Sequence, residues 1–255
     1  MTHTYKEFEN RVKALRERGA RVREIACVGA PRTLLCVELG ETAAPAIALA
    51  AGVHGDEPAG PWALLAMLEE DALDPRFAYR IYPCTNPTGY DAGTRASVDG
   101  DDVNRTFGRG GRSPEARAIV TANRDRKFEL SLDLHEDRDA IGFYCYDYTA
   151  GRIGDAVAAA MRAAGHPLQR FEGGYDLGFA LPAETVTYAE GIVRADPVAE
   201  AESLGALTYT LALARNAAKR ALTLETPTSA PWETRLAMHR IATATAIAAL
   251  SQPSG

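Results

Sequence analysis

The nine residues at 45–53, Pro-Ala-Ile-Ala-Leu-Ala-Ala-Gly-Val, carry no charge and stop abruptly at His54-Gly55-Asp56-Glu57. An apolar run of this length without alternation suits a strand covered on both faces, so the chain must pack other elements above and below a sheet. Residues 58–70 then read as a helix and 77–83 as another strand. Further strands are predicted at 21–29, 33–39, 129–134, 142–148 and 220–224, with helices over 1–20, 114–127, 151–165, 203–215 and 232–250. Glycines and prolines break every pattern in 167–201, which reads as loop with short strands. Strands alternating with helices predict an α/β fold, a three-layer αβα sandwich around a mixed, largely parallel central sheet. No internal repeat or composition break interrupts the chain, so residues 1–255 are expected to form a single domain.

A formal net charge of −6 argues against a general binder of nucleic acid or anionic membranes. No apolar run is long enough to span a bilayer. Tyr5, Phe8, Val12 and Leu15 recur at helical spacing among charges, unlike a signal peptide. Cys27, Cys36, Cys84 and Cys145 form no C-x-x-C pair and read as reduced, buried thiols, which points to a cytoplasmic location. A long polar stretch, 86–112, includes the glycine-rich 108–111, which lacks the preceding strand and the Lys-Ser/Thr of a phosphate loop.

Ligands of open α/β sheets collect at the carboxyl ends of strands. Three polar clusters fall at such ends: His54 with Glu57, then His135 with Glu136 and Asp137, then Glu225. Singly, each has a plainer reading, since a His-x-x-Glu is usually a solvated turn and a lone histidine usually structural. Their coincidence is what argues for a site, because buried imidazoles and carboxylates are costly without partners. Gly55 is expected to let the chain turn sharply, and the strand before His135 places Asp133 on its face. Two imidazoles and one carboxylate leave a fourth position open, the pattern of a catalytic zinc. Glu136 and Asp137 add negative charge near the metal and either select a basic substrate group, tune the site or form a solvated turn. His3, His166 and His239 lie outside these clusters and read as surface or helix histidines.

In order along the chain stand His54-Gly-Asp-Glu57, Asn86-Pro-Thr-Gly89 with Arg95, Asp102-Val-Asn-Arg105-Thr-Phe107, Asp133-Leu-His135 and Leu222-Thr-Leu-Glu225-Thr. This series resembles the zinc carboxypeptidase A-type family, in the wider clan that includes succinylglutamate desuccinylase and aspartoacylase. The resemblance implies a phosphorylase/hydrolase-like sandwich holding one zinc ion on His54, Glu57 and His135. It implies Glu225 as the general base that activates zinc-bound water, and Arg95 as the group stabilising the oxyanion. Asn104 and Arg105 would grip a substrate carboxylate, and Asp102 would orient the first histidine. The implied activity is that of a metallocarboxypeptidase-like hydrolase, cleaving an amide next to a free carboxylate in a small peptide. N-acyl amino acid deacylation is the alternative. The close spacing of Arg95 and Arg105 favours the deacylase branch; the single helix expected after Glu225 favours the carboxypeptidase. A substrate-contacting tyrosine is sought upstream of Glu225, with Tyr188 and Tyr209 the candidates by position and Tyr209 the better fit to helix-core packing.

Overall fold

A computed structural model describes residues 4–149, 153–171 and 180–251. The charged N-terminal segment forms α1 (Tyr5–Ala14), which continues as a 3-10 turn and is stopped by Gly19 in the left-handed region before β1 (Arg21–Ile25). β1 and β2 (Leu34–Leu39) make an antiparallel pair. The apolar run becomes β3 (Ala46–Ala51), five of its six residues buried, followed by α2 (Ala59–Glu69) and β4 (Ala78–Tyr82). The polar stretch is not structureless. It contains α3 (Pro87–Ala92), capped by Asn86, and a 3-10 turn at Val103–Arg105 capped by Asp102.

After α4 (Pro114–Ala122) come β5 (Leu130–Asp137), β6 (Tyr144–Asp147) and α5 (Ile153–Ala163). The region read as broken holds a hairpin, β7 (Val186–Ala189) and β8 (Ile192–Ala195). The single helix expected over 203–215 is instead two, α6 (Pro197–Leu204) and α7 (Tyr209–Asn216). Gly205, left-handed at φ 59°, ends the first, and the Thr208 side chain caps the second. β9 (Ala221–Pro227) and α8 (Trp232–Ala249) follow.

Among the described residues the nine strands form one mixed sheet, ordered β1-β2-β4-β3-β5-β9-β6-β8-β7. Its centre, β4-β3-β5-β9, is parallel, and antiparallel pairs lie on both flanks. Alternation decides the layers. Leu130, Leu132 and Leu134 of β5, with Leu222 and Leu224 of β9, join the core beneath α1, α2, α5 and α8. On the opposite face Ala48, Ala50 and Tyr82 pack against Ile119 of α4 and Leu213 of α7. The expected sandwich is therefore present, with helices on both faces of the sheet. All four cysteines are buried and unpaired. No helix among the described residues is long and apolar enough to cross a membrane.

Candidate metal centre and its cavity

Register places the polar residues. On the face opposite the leucines, β5 carries Ser131, Asp133 and His135, and β9 carries Ala221, Thr223 and Glu225; His135 stands directly beside Glu225 and Asp133 beside Thr223. β3 ends one strand away, and Gly52, at φ 62°, turns the chain into His54. Gly55 is needed for a different reason from the one the sequence suggests. Its φ is not in the left-handed region; instead a Cβ there would sit 1.9 Å from the carbonyl carbon of Gly89. The turn that presents His54 and Glu57 is thus laid backbone-to-backbone on α3. Asn86 fastens it, its Nδ2 donating to the carbonyls of Val53 at 3.3 Å and Arg95 at 3.2 Å.

His54, Glu57 and His135 are all buried and offer ligand atoms within 4.8 Å of one another. Glu57 Oε1 lies 2.6 Å from His54 Nδ1, and Oε2 lies 3.0 Å from His135 Nδ1. Both imidazoles therefore turn Nδ1 inward. Their Nε2 atoms point the other way, His135 to Asp133 Oδ2 at 3.0 Å and His54 toward Asp102 Oδ1 at 3.4 Å. Such outer carboxylates hold the Nε2 proton, so that the inward nitrogen can give its lone pair to a metal once its own proton leaves. Asp133, given no role by the resemblance, was already visible in the sequence, two residues before His135 on one strand face.

The surrounding charges suit a cation. Burial would lower His135, yet Asp133 and Glu57 outweigh it and pull its pKa well above the usual imidazole range. Burial would raise Glu57, but the two histidines hold its carboxyl far below the ordinary range. Asp102 is likewise held low against its burial by His54, Arg95 and Arg105. The cluster favours positive charge at its centre, and its two imidazoles and carboxylate are a donor set that fits a divalent transition metal.

Arg95 is about half exposed at its side chain and is spent partly on Asp102, with Nη2 donating to Oδ2 at 3.0 Å. Its Nη1 reaches inward, 3.2 Å from His54 Nδ1 and 3.7 Å from Glu57 Oε1. Asn104 Oδ1 accepts the backbone N–H of Tyr209 at 3.0 Å, which leaves the amide Nδ2 as the available end. Arg105 makes no ion pair within 4 Å among the described residues, and its Nη1 donates to the Asn104 carbonyl. Glu225 is half-buried; its burial, with Glu57, Asp137 and Asp133 adding, pushes its carboxyl well above the usual range against the opposing charge of His135. A carboxyl so raised holds a proton more readily than an ordinary glutamate, as an acid–base group beside the cluster must.

These groups share one cavity of about 770 Å³, lined by His54, Glu57, Arg95, Asn104, Arg105, His135 and Glu225. Neither tyrosine sought in the sequence lines it. Tyr209 is buried edge-on against Phe107, and Tyr188 is 50 % exposed on β7 beside Phe171. The tyrosines in the wall are Tyr144, Tyr146 and Tyr148. Period-two spacing inside an expected strand was the signal for them, since it puts all three on one face. Glu200 also lines the cavity and had no signal in the sequence. Glu136 is no selector: it accepts the N–H of Ala59 at 2.7 Å, capping α2, and pairs with Arg235. His239, taken for a surface or helix histidine, is a fully buried helix residue next to Thr226.

The mixed αβα sandwich carries at its strand ends a His/Glu/His cluster that could hold a metal ion, and known proteins of similar sequence say which class it belongs to. The succinylglutamate desuccinylase/aspartoacylase catalytic domain matches residues 43–248, and the chain belongs to that family of hydrolases. No curated protein matches it. Among solved structures it is similar to a candidate metallopeptidase from Shewanella amazonensis, with 23% identity over 94% of this chain and 91% of that one, at a TM-score of 0.75. A metallo-carboxypeptidase from Burkholderia cenocepacia shares 20% identity over 96% of this chain and 68% of its own, at 0.66. Bovine thrombin-activatable fibrinolysis inhibitor, solved with a tick carboxypeptidase inhibitor, shares 14% over 97% of each chain, at 0.70. At these identities the similarity is one of fold.

Proposed function

We propose that the chain is a zinc-dependent hydrolase that cleaves an amide bond next to a free carboxylate. The observation that carries this reading is the in-register pair His135 and Glu225, which sets a proton-accepting carboxyl beside the His54/Glu57/His135 cluster in one cavity with Arg105. Zinc is assigned because two imidazoles and a carboxylate match its catalytic sites. When bound, it would supply Lewis acidity, polarising a carbonyl and making hydroxide available near neutral pH.

The chain's residues do the rest. Asn104 Nδ2 and the Arg105 guanidinium, both donors only, hold the substrate carboxylate and so fix which amide is presented. Glu225 takes a proton from the attacking water and returns it to the leaving nitrogen. Arg95, anchored by Asp102 through two of its nitrogens, directs Nη1 at the carbonyl oxygen as charge develops there. Asp102 and Asp133 keep the histidines oriented.

Membership of the desuccinylase/aspartoacylase family supports N-acyl amino acids as the first substrate class to test. Release of the last residue of a short peptide is the same reaction with a longer acyl arm, favoured by a cavity larger than a small acyl amino acid fills. Parallel assays of both substrate classes decide between them. Glu225→Gln is expected to keep stoichiometric metal and lose about 10²- to 10⁴-fold in kcat; undiminished turnover would remove Glu225 from the mechanism.

A further inference from the structure

The wall of the cavity away from the metal cluster is built by β6 and α6, and its chemistry is not that of the cluster. Antiparallel pairing with β9 sets Tyr144 beside Glu225 and Tyr146 beside Thr223, so the tyrosines continue the face that carries the proposed base. Tyr148 follows, its ring stacked on Tyr146 at an interplanar angle of 7°. Its hydroxyl donates to Glu200 Oε1 at 2.9 Å. Glu200 is only 3 % exposed, yet its Oε2 has no hydrogen-bond partner among the described residues and no cation lies within ion-pair distance. A buried carboxylate oxygen without a donor is costly, and sites keep such groups when a ligand supplies the missing partner.

Three features say what that partner is. Arg105 and Asn104, also in the wall, are placed for a carboxylate, so Glu200 offers the opposite charge to another part of the same molecule. Tyr148 sets an aromatic ring next to Glu200, and such rings attract cations. Seven carboxyl groups line the cavity against three arginines, so an incoming cation meets a favourable field. Resting on the hydrolase reading above, we propose that Glu200 selects the side chain of the amino acid released, and that this side chain is cationic, an ammonium or a guanidinium. The plainer role for Glu200, a buttress for the Tyr148 hydroxyl, predicts no such selection.

Calorimetric binding of L-arginine and of its neutral isostere L-citrulline to the full metal-loaded chain separates the two. Arginine should bind at least about tenfold more tightly. Glu200→Gln, which still accepts from Tyr148, should reduce that ratio to about twofold. Tyr148→Phe, which removes the hydroxyl and leaves the carboxyl, should keep the preference. Equal binding of both ligands, binding of neither, survival of the preference in Glu200→Gln, or its loss in Tyr148→Phe would each overturn the assignment. Because binding is read, the outcome is independent of turnover. Arginine selectivity without hydrolysis of any amide would retire the hydrolase reading alone, whereas hydrolysis without arginine selectivity would retire the selector alone.

Discussion

The two walls of the cavity follow opposite rules. On the β3–β5–β9 side the ligand cluster is cross-linked within itself: Glu57 to both histidines, His135 to Asp133, His54 facing Asp102, and Asp102 to Arg95, with one oxygen of Asp133 left over. On the β6–α6 side, Glu200 has one donor and an unused oxygen. A cross-linked cluster resists rearrangement, as a metal centre requires, while a carboxyl held by a single donor can take up what a substrate brings. On the proposed reading, chemistry and selectivity are divided between the β3–β5–β9 side and the β6–α6 side, which the pairing of β6 with β9 joins.

The largest effect should come from breaking the cross-linked side. His135→Ala removes an inward nitrogen and strands Asp133, so bound metal should fall to background and turnover vanish together, as metal analysis and activity assay would report. Full metal content in this variant would mean that the cluster is not the metal site. Arg105→Ala should be milder and of another kind, raising KM for carboxylate substrates about 10- to 100-fold with a smaller change in kcat. A purely kcat effect would move Arg105 from binding to catalysis.

The smallest effect sharpens the comparison from the side of Glu200. Burial raises Glu200 from 4.5 to about 7, with Tyr148 and Arg105 opposing. A carboxyl raised on folding binds its proton more tightly in the folded state. Its stabilising contribution is complete below pH 4.5 and is lost as pH rises through about 7. Glu200→Gln does not titrate, so relative to wild type it should gain up to about 3 kcal/mol between pH 4.5 and 8.5, read from melting curves at the two values. A difference that does not change with pH would mean that the carboxyl is not held in a dry pocket.

Much of the metal side was legible in the sequence. The apolar run ending at His54, the alternation of Leu130, Leu132 and Leu134 around Asp133 and His135, and the same alternation before Glu225 all report strands that deliver polar groups at their ends. Local periodicity sets which way a side chain points, so these residues declared their face without knowledge of their neighbours. Gly55 was legible as necessary but not for its reason, because contact with Gly89 depends on a segment thirty-four residues away. The helix expected over 203–215 failed on local chemistry, since the stop at Gly205 and the cap at Thr208 outweighed continuous helical character.

The sequence by itself determined the alternating α/β elements, the strand-end histidines and carboxylates, and the donor types available for a metal. Only the tertiary structure decided which of them meet. Strand order is set by non-local pairing and packing, and it is the placement of β6 antiparallel beside β9 that brings Tyr144, Tyr146 and Tyr148 to the wall. Glu200 lies on a helix that follows the β7–β8 hairpin at the sheet's far edge, and its approach to Tyr148 spans 52 residues. A contact at that separation leaves no period in the chain to read, because it is fixed by the closure of the whole sheet rather than by the residues on either side of it.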